Sequence, residues 1–184
     1  MAEYVVAEVF TNKSKELILE TGGSASWVLA EKTAKNLDYC VCCRNPERAR
    51  GEDSGDRPEK RNEAFLVGKV SGVEFVERLN DRNRYLIKFS EYAEVSIPDF
   101  RSGSVRNPVV FGSRESCRIR GLDIDTLDFR PMPEPVKRYT GHGLQAVEIG
   151  SSTGGAGLSI DEAKAGLAAR YNVPASAIQI TITL

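Results

Sequence analysis

The apolar positions of this chain recur mostly with the two-residue period of β-strands. Five segments combine this alternation with β-branched and aromatic residues: 4–10, 37–43, 64–75, 84–89 and 91–97. Within the third of them, Gly68 and Gly72 predict a bulge or a bend of the kind that closes small barrels. Short further strands are predicted at 109–111 and 118–119. The chain up to about residue 135 is therefore predicted to form one β-rich body.

Other segments of the body lack this period. Residues 13–20 predict one or two helical turns, and a second helix, carrying Trp27, is predicted from Ser24 or Ser26 to about residue 35. Residues 44–63 contain six basic and six acidic side chains and almost nothing apolar. Such a segment cannot bury a core, so a long, mobile, charge-balanced loop is predicted there.

The C-terminal residues 144–184 predict a separate strand–helix–strand module. Residues 144–149 alternate as a strand, and 151–157 read as a Ser/Gly linker. Ser159 and Glu162 form the pattern of a capping box, and the apolar residues that follow recur at helical spacing up to Tyr171. Alternating isoleucines then predict a last strand at 178–184. The predicted fold class is α+β, with domains at 1–135 and 144–184.

Composition narrows the functional classes. The net charge is −1 and the pI is near 6.0, so a generally basic surface is excluded, although a local basic face is not. No apolar run is long enough to span a bilayer and no secretory signal is recognisable, which predicts a cytoplasmic protein without a membrane partner. The four cysteines are then expected to be free thiols. As part of a strand, Cys40 and Cys42 should share one face and Cys43 should lie on the other.

No catalytic or metal-binding motif stands out. His142 is the only histidine and lies between two glycines, and no nucleophile motif accompanies it. Asp123, Asp125 and Asp128 lack the spacing of a calcium loop and are interpreted as turn residues. We therefore expect no enzyme, no cofactor and no metal, and a small hydrolase or nuclease using Asp123 and its neighbours is the weakest of the alternatives.

Arginines are concentrated in two segments, 78–88 and 101–120. If the two segments are neighbours in the fold, they form a basic face suited to phosphate, since arginine makes bidentate contacts with phosphate oxygens. Surface ion pairs explain the same residues equally well. Both interpretations remain open at the level of the sequence.

Residues 1–130 resemble the PUA-like small barrels, especially the EVE-type domains. Residues 4–7 (YVVA) resemble the opening strand of that family, Trp27 with Lys32 resembles its Trp-x-x-x-x-Lys/Arg region, and 64–70 (AFLVGKV) resembles its central glycine-containing strand. The resemblance implies a PUA-like β-barrel that binds nucleic acid, often by holding a modified base in an aromatic-lined pocket. The charged loop and the C-terminal module are departures from the family pattern.

This resemblance, together with the arginine segments, gives a non-enzymatic nucleic-acid-binding module as the predicted function. The candidate ligand-binding residues are those expected to stack on a base, to line the pocket or to hold the backbone: Trp27, Arg44, Asn45, Phe89, Tyr92, Arg106 and Arg118. The alternative is a protein-interaction or inhibitor protein. In that case residues 158–184 would bind a partner or a second copy of the chain, for example by adding the last strand to a sheet edge.

Overall fold

The computed structural model describes residues 5–30, 33, 36–46, 53, 55–102, 107–140, 143–147, 164, 167–168, 174–177 and 179. The chain divides into two compact units, Met1–Glu148 and Ile149–Leu184. In the second unit, the described residues include a short 3₁₀ turn at Ala175–Ala177. The predicted strand at 178–184 lies outside the described residues except for residue 179.

The first unit is built on one mixed sheet. Its strands are β1 (Val6–Thr11), β2 (Gly23–Trp27), β3 (Tyr39–Arg44), β4 (Ala64–Leu79), β5 (Arg82–Ile97), β6 (Val109–Gly112) and β7 (Arg130–Pro131). They lie in the order β2-β5-β4-β3-β1-β6, with β7 paired to β5. Only the β1–β3 pair is parallel among the described pairings. Two short helices accompany the sheet, α1 (Lys15–Glu20) and α2 (Arg114–Ile119), and β8 (Lys137–Thr140) forms a separate hairpin with β9 (Gly143–Ala146).

The predicted mixed α+β class, dominated by sheet, is confirmed. The described strands do not close into a barrel, because β2 and β6 end the strand order without pairing with each other. The fourth and fifth predicted strands are one continuous strand, β5, and β4 extends to Leu79. These two strands form a long hairpin through a turn at Asn80 and Asp81, whose φ angles of 50° and 60° match a type I′ turn.

The prediction of a helix beginning at Ser24 or Ser26 is wrong. Residues 23–27 form β2, which pairs antiparallel with the edge of β5, with Ser24 opposite Ile87 and Trp27 opposite Tyr85. Strand pairing with a distant segment outweighs the local capping signal of the serines. Residues 144–146, part of the strand predicted at 144–149, lie in β9, which pairs antiparallel with β8.

Two hydrophobic clusters cover the two faces of the sheet. The inner cluster contains Cys40 and Cys42 and includes side chains of both edge strands, Trp27 of β2 and Val109 of β6, so the sheet curls around it. The outer cluster contains Cys43 and is covered by α2 through Cys117. The predicted division of the β3 cysteines between two faces is confirmed, and all four cysteines are free, buried thiols.

Gly68 marks the closest approach within the inner cluster. A Cβ atom at this position would lie 2.4 Å from the ring of Phe89, a separation that forces the ring or the strand to move. We expect Gly68→Ala to lower the free energy of unfolding by about 1–3 kcal/mol, as overpacking does in other cores. Urea denaturation measures this loss.

Phe89→Leu provides the control, because a smaller side chain leaves room for the added methyl group. The double variant Gly68→Ala/Phe89→Leu should lose less stability than the sum of the two single variants. Strict additivity would contradict the steric explanation.

Candidate ligand-binding cleft

A cleft of about 720 Å³ lies where the two edges of the curled sheet approach each other. One wall comes from β2 and the residue after it, the opposite wall from the start of β6, and the remainder from the tip of the β4–β5 hairpin. The lining residues are Ser26, Trp27, Val28, Leu79, Asn80, Arg82, Arg84, Asn107, Pro108 and Val109. The cleft therefore depends on the sheet staying open between β2 and β6.

Trp27 belongs both to this wall and to the core. It is the only tryptophan of the chain, it is 8% exposed, and it packs in the inner cluster. Its indole N–H donates to the Ser24 hydroxyl oxygen at 3.0 Å. The ring thus has a fixed orientation, and a small part of its surface is available to a ligand.

Two arginines lie beside the tryptophan. Neither Arg82 nor Arg84 forms an ion pair with a carboxylate of the described residues. Arg84 donates from Nη1 to the carbonyl oxygen of Ser26 at 3.1 Å, whereas its buried Nε–H has no hydrogen-bond partner there. The Ser26 hydroxyl donates to Glu77 Oε1 at 3.2 Å, which is the nearest acidic contact to this wall in the described hydrogen bonds.

A second cation lies behind the same wall. The Lys13 ammonium donates to the carbonyl oxygen of Ala25 and lies 4.3 Å from the ring centroid of Tyr139. Burial lowers the pKa of Lys13 and the positive charge of Arg84 acts in the same direction, whereas Asp53 and Glu77 oppose them; the net result is a pKa of about 8. The adjacent carbonyl groups of Ala25 and Ser26 are thus each held by a cation, which makes the wall electropositive.

The opposite wall is held in place by hydrogen bonds from the end of β1 and from the segment after β5. The Phe10 N–H donates to the carbonyl oxygen of Pro108 at 2.8 Å. The guanidinium of Arg101, a residue that is 2% exposed, donates to the carbonyl oxygen of Asn107 and lies over the Phe10 ring. These contacts hold the side of the cleft that includes Asn107 in place.

Arg44 and Asn45, predicted near the mouth of a pocket, lie away from this cleft. Arg44 is 1% exposed, and its Nε and Nη2 both donate to Glu59 Oε2, at 2.9 and 2.7 Å. Its Nη1 donates to the Lys13 carbonyl oxygen at 2.7 Å, and the guanidinium lies over Phe65. The Asn45 N–H donates to the Thr11 carbonyl oxygen at 2.8 Å.

Beyond residue 46, the described part of the charged segment, residues 53 and 55–63, packs against the body, contrary to the prediction of a solvated loop. Asp53 accepts from the Ser14 N–H at 2.8 Å and from its hydroxyl at 2.6 Å, next to the start of α1. Arg57 pairs with Asp53 at 2.8 Å. Burial acts to raise the pKa of Asp53, but these hydrogen bonds outweigh it and leave the pKa below its usual value.

Phe89 and Tyr92 also lie outside the cleft lining. Phe89 is 5% exposed in the inner cluster, and Tyr92 packs against that cluster while it pairs with Gly68 across the strands. Phe89 is therefore a side chain of the core, and Tyr92 packs at the edge of the core.

The described arginines of the second basic segment do not converge on Trp27. Arg118 lies on α2, over the outer cluster, and pairs with Glu115, Asp123 and Asp125 at 3.1–3.2 Å. Arg114 pairs with Asp125 at 2.9 Å, and Arg120 makes a bidentate contact with Glu8. Arg106 and His142 lie outside the described residues. For the described arginines of α2, ion pairing is the arrangement that the structure shows.

Sequence reasoning identified Trp27 and noted Arg82 and Arg84 as part of a basic segment, but it missed the asparagines. Asn80 could have been found from the sequence Leu79-Asn80-Asp81-Arg82, which is typical of a hairpin turn between two strands. Asn107 carries no local signal. It joins the cleft only because the sheet curls.

Within the described residues, no group of three or more His, Cys, Asp or Glu side chains is arranged to hold a metal ion. None of the helices in that part of the chain has the length and apolar character needed to cross a membrane. In comparisons with known proteins, no family model, no curated protein and no solved structure matches this chain.

Proposed function

We propose that this protein is a non-enzymatic nucleic-acid-binding module on a PUA-like, incompletely closed barrel, and that the cleft between β2 and β6 receives the nucleic acid. The observation that supports this most is the presence of Trp27, Arg82 and Arg84 in one cleft of about 720 Å³. Neither arginine is neutralised by a carboxylate of the described residues.

The chemistry of the lining fits one or two unpaired nucleotides. Its volume falls in the range of about 300–1,000 Å³ that is usual for small-molecule sites. Leu79, Val28 and the exposed part of Trp27 give apolar contact to a base or a sugar, and the amides of Asn80 and Asn107 can both donate and accept hydrogen bonds. The arginines supply the charge that attracts phosphate. An open cleft between sheet edges favours a single strand over a duplex.

Fluorescence anisotropy with labelled single-stranded DNA and RNA oligonucleotides tests the proposal. We expect binding at low salt, with a slope of log K against log[salt] of about −0.7 for each phosphate contacted. Arg82→Ala should weaken binding and reduce the magnitude of the slope by roughly one such step. Absence of binding by the wild-type protein at low salt, to either nucleic acid, would overturn the proposal.

Arg118→Ala is the matched control, since it also removes one partly exposed arginine. Arg118 is engaged by three carboxylates on α2, so its loss should leave the affinity nearly unchanged. If Arg118→Ala weakened binding and Arg82→Ala did not, the surface of α2 and not the cleft would be the nucleic-acid-binding site.

A further inference from the structure

Two arginines of this protein form the same hydrogen bond from Nη1 to a backbone carbonyl oxygen, but they differ in what the Nε side of the guanidinium contacts. Arg44 and Arg84 each donate from Nη1 to a backbone carbonyl oxygen, of Lys13 at 2.7 Å and of Ser26 at 3.1 Å. The Nε–Nη2 edge of Arg44 binds the carboxylate of Glu59. The Nε of Arg84 is equally buried and has no partner among the described residues.

A buried N–H without a partner is unfavourable, so such groups are rare and call for an explanation. Arg84 lines the cleft, and its guanidinium is held in place by the Ser26 carbonyl. In the same molecule, Glu59 binds the corresponding edge of Arg44 through a carboxylate oxygen. An anionic oxygen is therefore the kind of partner that satisfies an arginine held in this way.

We propose that the guanidinium of Arg84 is the anion-receiving group of the cleft, and that a phosphate oxygen of the ligand binds its Nε–Nη2 edge when the atoms that cover Nε shift aside. The assignment of the phosphate to a nucleic acid rests on the function proposed above. The anion site itself rests on the geometry of Arg84. The cleft then holds its ligand by the backbone, and the tryptophan is a side wall of the site.

The surroundings of Arg84 favour phosphate over a singly charged carboxylate. Arg82 lines the same cleft, and Lys13 holds the carbonyl adjacent to the one that Arg84 holds. Two carboxylates act on the same cations: Glu77, bound to the Ser26 hydroxyl, and Asp53, which lies near Lys13 and is itself paired with Arg57. The positive charge that remains suits a group that carries more than one negative charge.

Trp27 argues against a site in which a base is caged between aromatic rings. Its indole N–H is already used by Ser24, and 92% of its surface is covered, since the residue is 8% exposed. Among the described residues that line the cleft, it is the only aromatic one. One edge of one ring gives contact to a ligand but cannot enclose a base on two faces.

Pyrophosphate and an eight-nucleotide oligothymidylate are the two probes of the test, and Trp27 fluorescence is the readout, because the only tryptophan lies in the cleft. Both probes should change the fluorescence of the wild-type protein. Arg84→Lys keeps the charge but loses the planar edge, and we expect about tenfold weaker binding of both probes. Arg118→Lys, the matched control outside the cleft, should change affinity by less than about threefold, because Arg118 is already paired with carboxylates on α2.

A measurement on the wild-type protein tests the anion site without depending on the folding of Arg84→Lys. The buried Nε–H of Arg84 should give a ¹H–¹⁵N cross-peak that shifts on addition of pyrophosphate, while the Arg44 Nε–H peak stays in place. Binding of the oligonucleotide with no change at Arg84 by either measurement would overturn the anion site and leave the proposed function standing. Binding of pyrophosphate through Arg84 without any binding of the oligonucleotide would overturn the proposed function and leave the anion site standing. If neither probe changed the fluorescence or the Arg84 peak, both proposals would be wrong.

Discussion

Replacing Glu59 by alanine should lower the free energy of unfolding by about 3–5 kcal/mol, the range observed when one partner of a buried ion pair is removed. Arg44 is 1% exposed, and the Glu59 side chain that neutralises it is 13% exposed. Without Glu59, the guanidinium keeps its contact to the Lys13 carbonyl and its position over Phe65 but loses both bonds from Nε and Nη2. A charge buried without a counterion is then the main penalty. Guanidinium chloride denaturation measures the change.

Glu94→Ala is the comparison that isolates the effect of burial. Glu94 pairs with Lys15 at the same N–O distance of 2.7 Å, but the two side chains are 44% and 32% exposed. An exposed pair contributes about 0–1 kcal/mol, so Glu94→Ala should be nearly silent. The double variant Arg44→Met/Glu59→Leu should recover part of the loss, because it removes both charges. Equal effects of Glu59→Ala and Glu94→Ala would show that the charged segment does not pack as described.

This contrast also explains why the charged segment was mispredicted. The pattern of residues 44–63 predicts a solvated loop because this segment contains almost no apolar side chains that could anchor it in the core. The anchors are polar, and they come from far along the chain: Asp53 binds Ser14, and Arg57 donates to the Asn12 carbonyl oxygen at 2.8 Å. A hydrophobicity pattern cannot report hydrogen bonds between segments 39 or 45 residues apart. The composition was interpreted correctly, but the packing was not accessible from it.

Strands were predictable to the extent that their own residues determine them. The alternation in 37–43 predicted both β3 and the facing of its cysteines, which the two clusters confirm. The prediction missed β2 because its sequence, Gly-Ser-Ala-Ser-Trp, has no β-forming pattern. This segment becomes a strand only by pairing with β5. The mixed parallel and antiparallel order of the sheet is a property of the whole chain, and no local segment encodes it.

The cleft was predictable only in part for the same reason. Trp27 could be singled out by its resemblance to a family pattern, and the arginines of 78–88 by their density. Which arginines meet the tryptophan depends on which strands pair. β2 pairs with β5, with Trp27 opposite Tyr85, and this places Arg84 beside Trp27, whereas Arg118 lies over the other face with its own carboxylates. The two basic segments therefore differ in their neighbours more than in their composition.

Lys13→Met should abolish a pH-dependent contribution to stability that lies between pH 8 and 10.5. In the folded protein, burial lowers the pKa of Lys13 to about 8 from 10.5. Between these values the unfolded chain binds the proton and the folded chain does not, so raising the pH favours folding. Relative to Lys13→Met, the wild-type protein should gain stability over this window, by at most about 3 kcal/mol at roughly 1.4 kcal/mol for each pKa unit. Urea denaturation at half-unit steps of pH measures the difference.

The informative quantity is the difference in the free energy of unfolding between wild type and Lys13→Met. Buried thiols titrate in the same pH window and have the opposite effect on stability. Burial raises the pKa values of Cys40, Cys43 and Cys117, so these residues make the folded state less favourable as the pH rises, in wild type and variant alike. Lys15→Met gives a control of opposite direction. The hydrogen bond to Glu94 raises the pKa of Lys15, so its contribution is present at neutral pH and is lost in alkali. Parallel pH profiles for wild type and Lys13→Met would mean that Lys13 stays solvated, and the electropositive wall behind the cleft would then lose one of its two fixed cations.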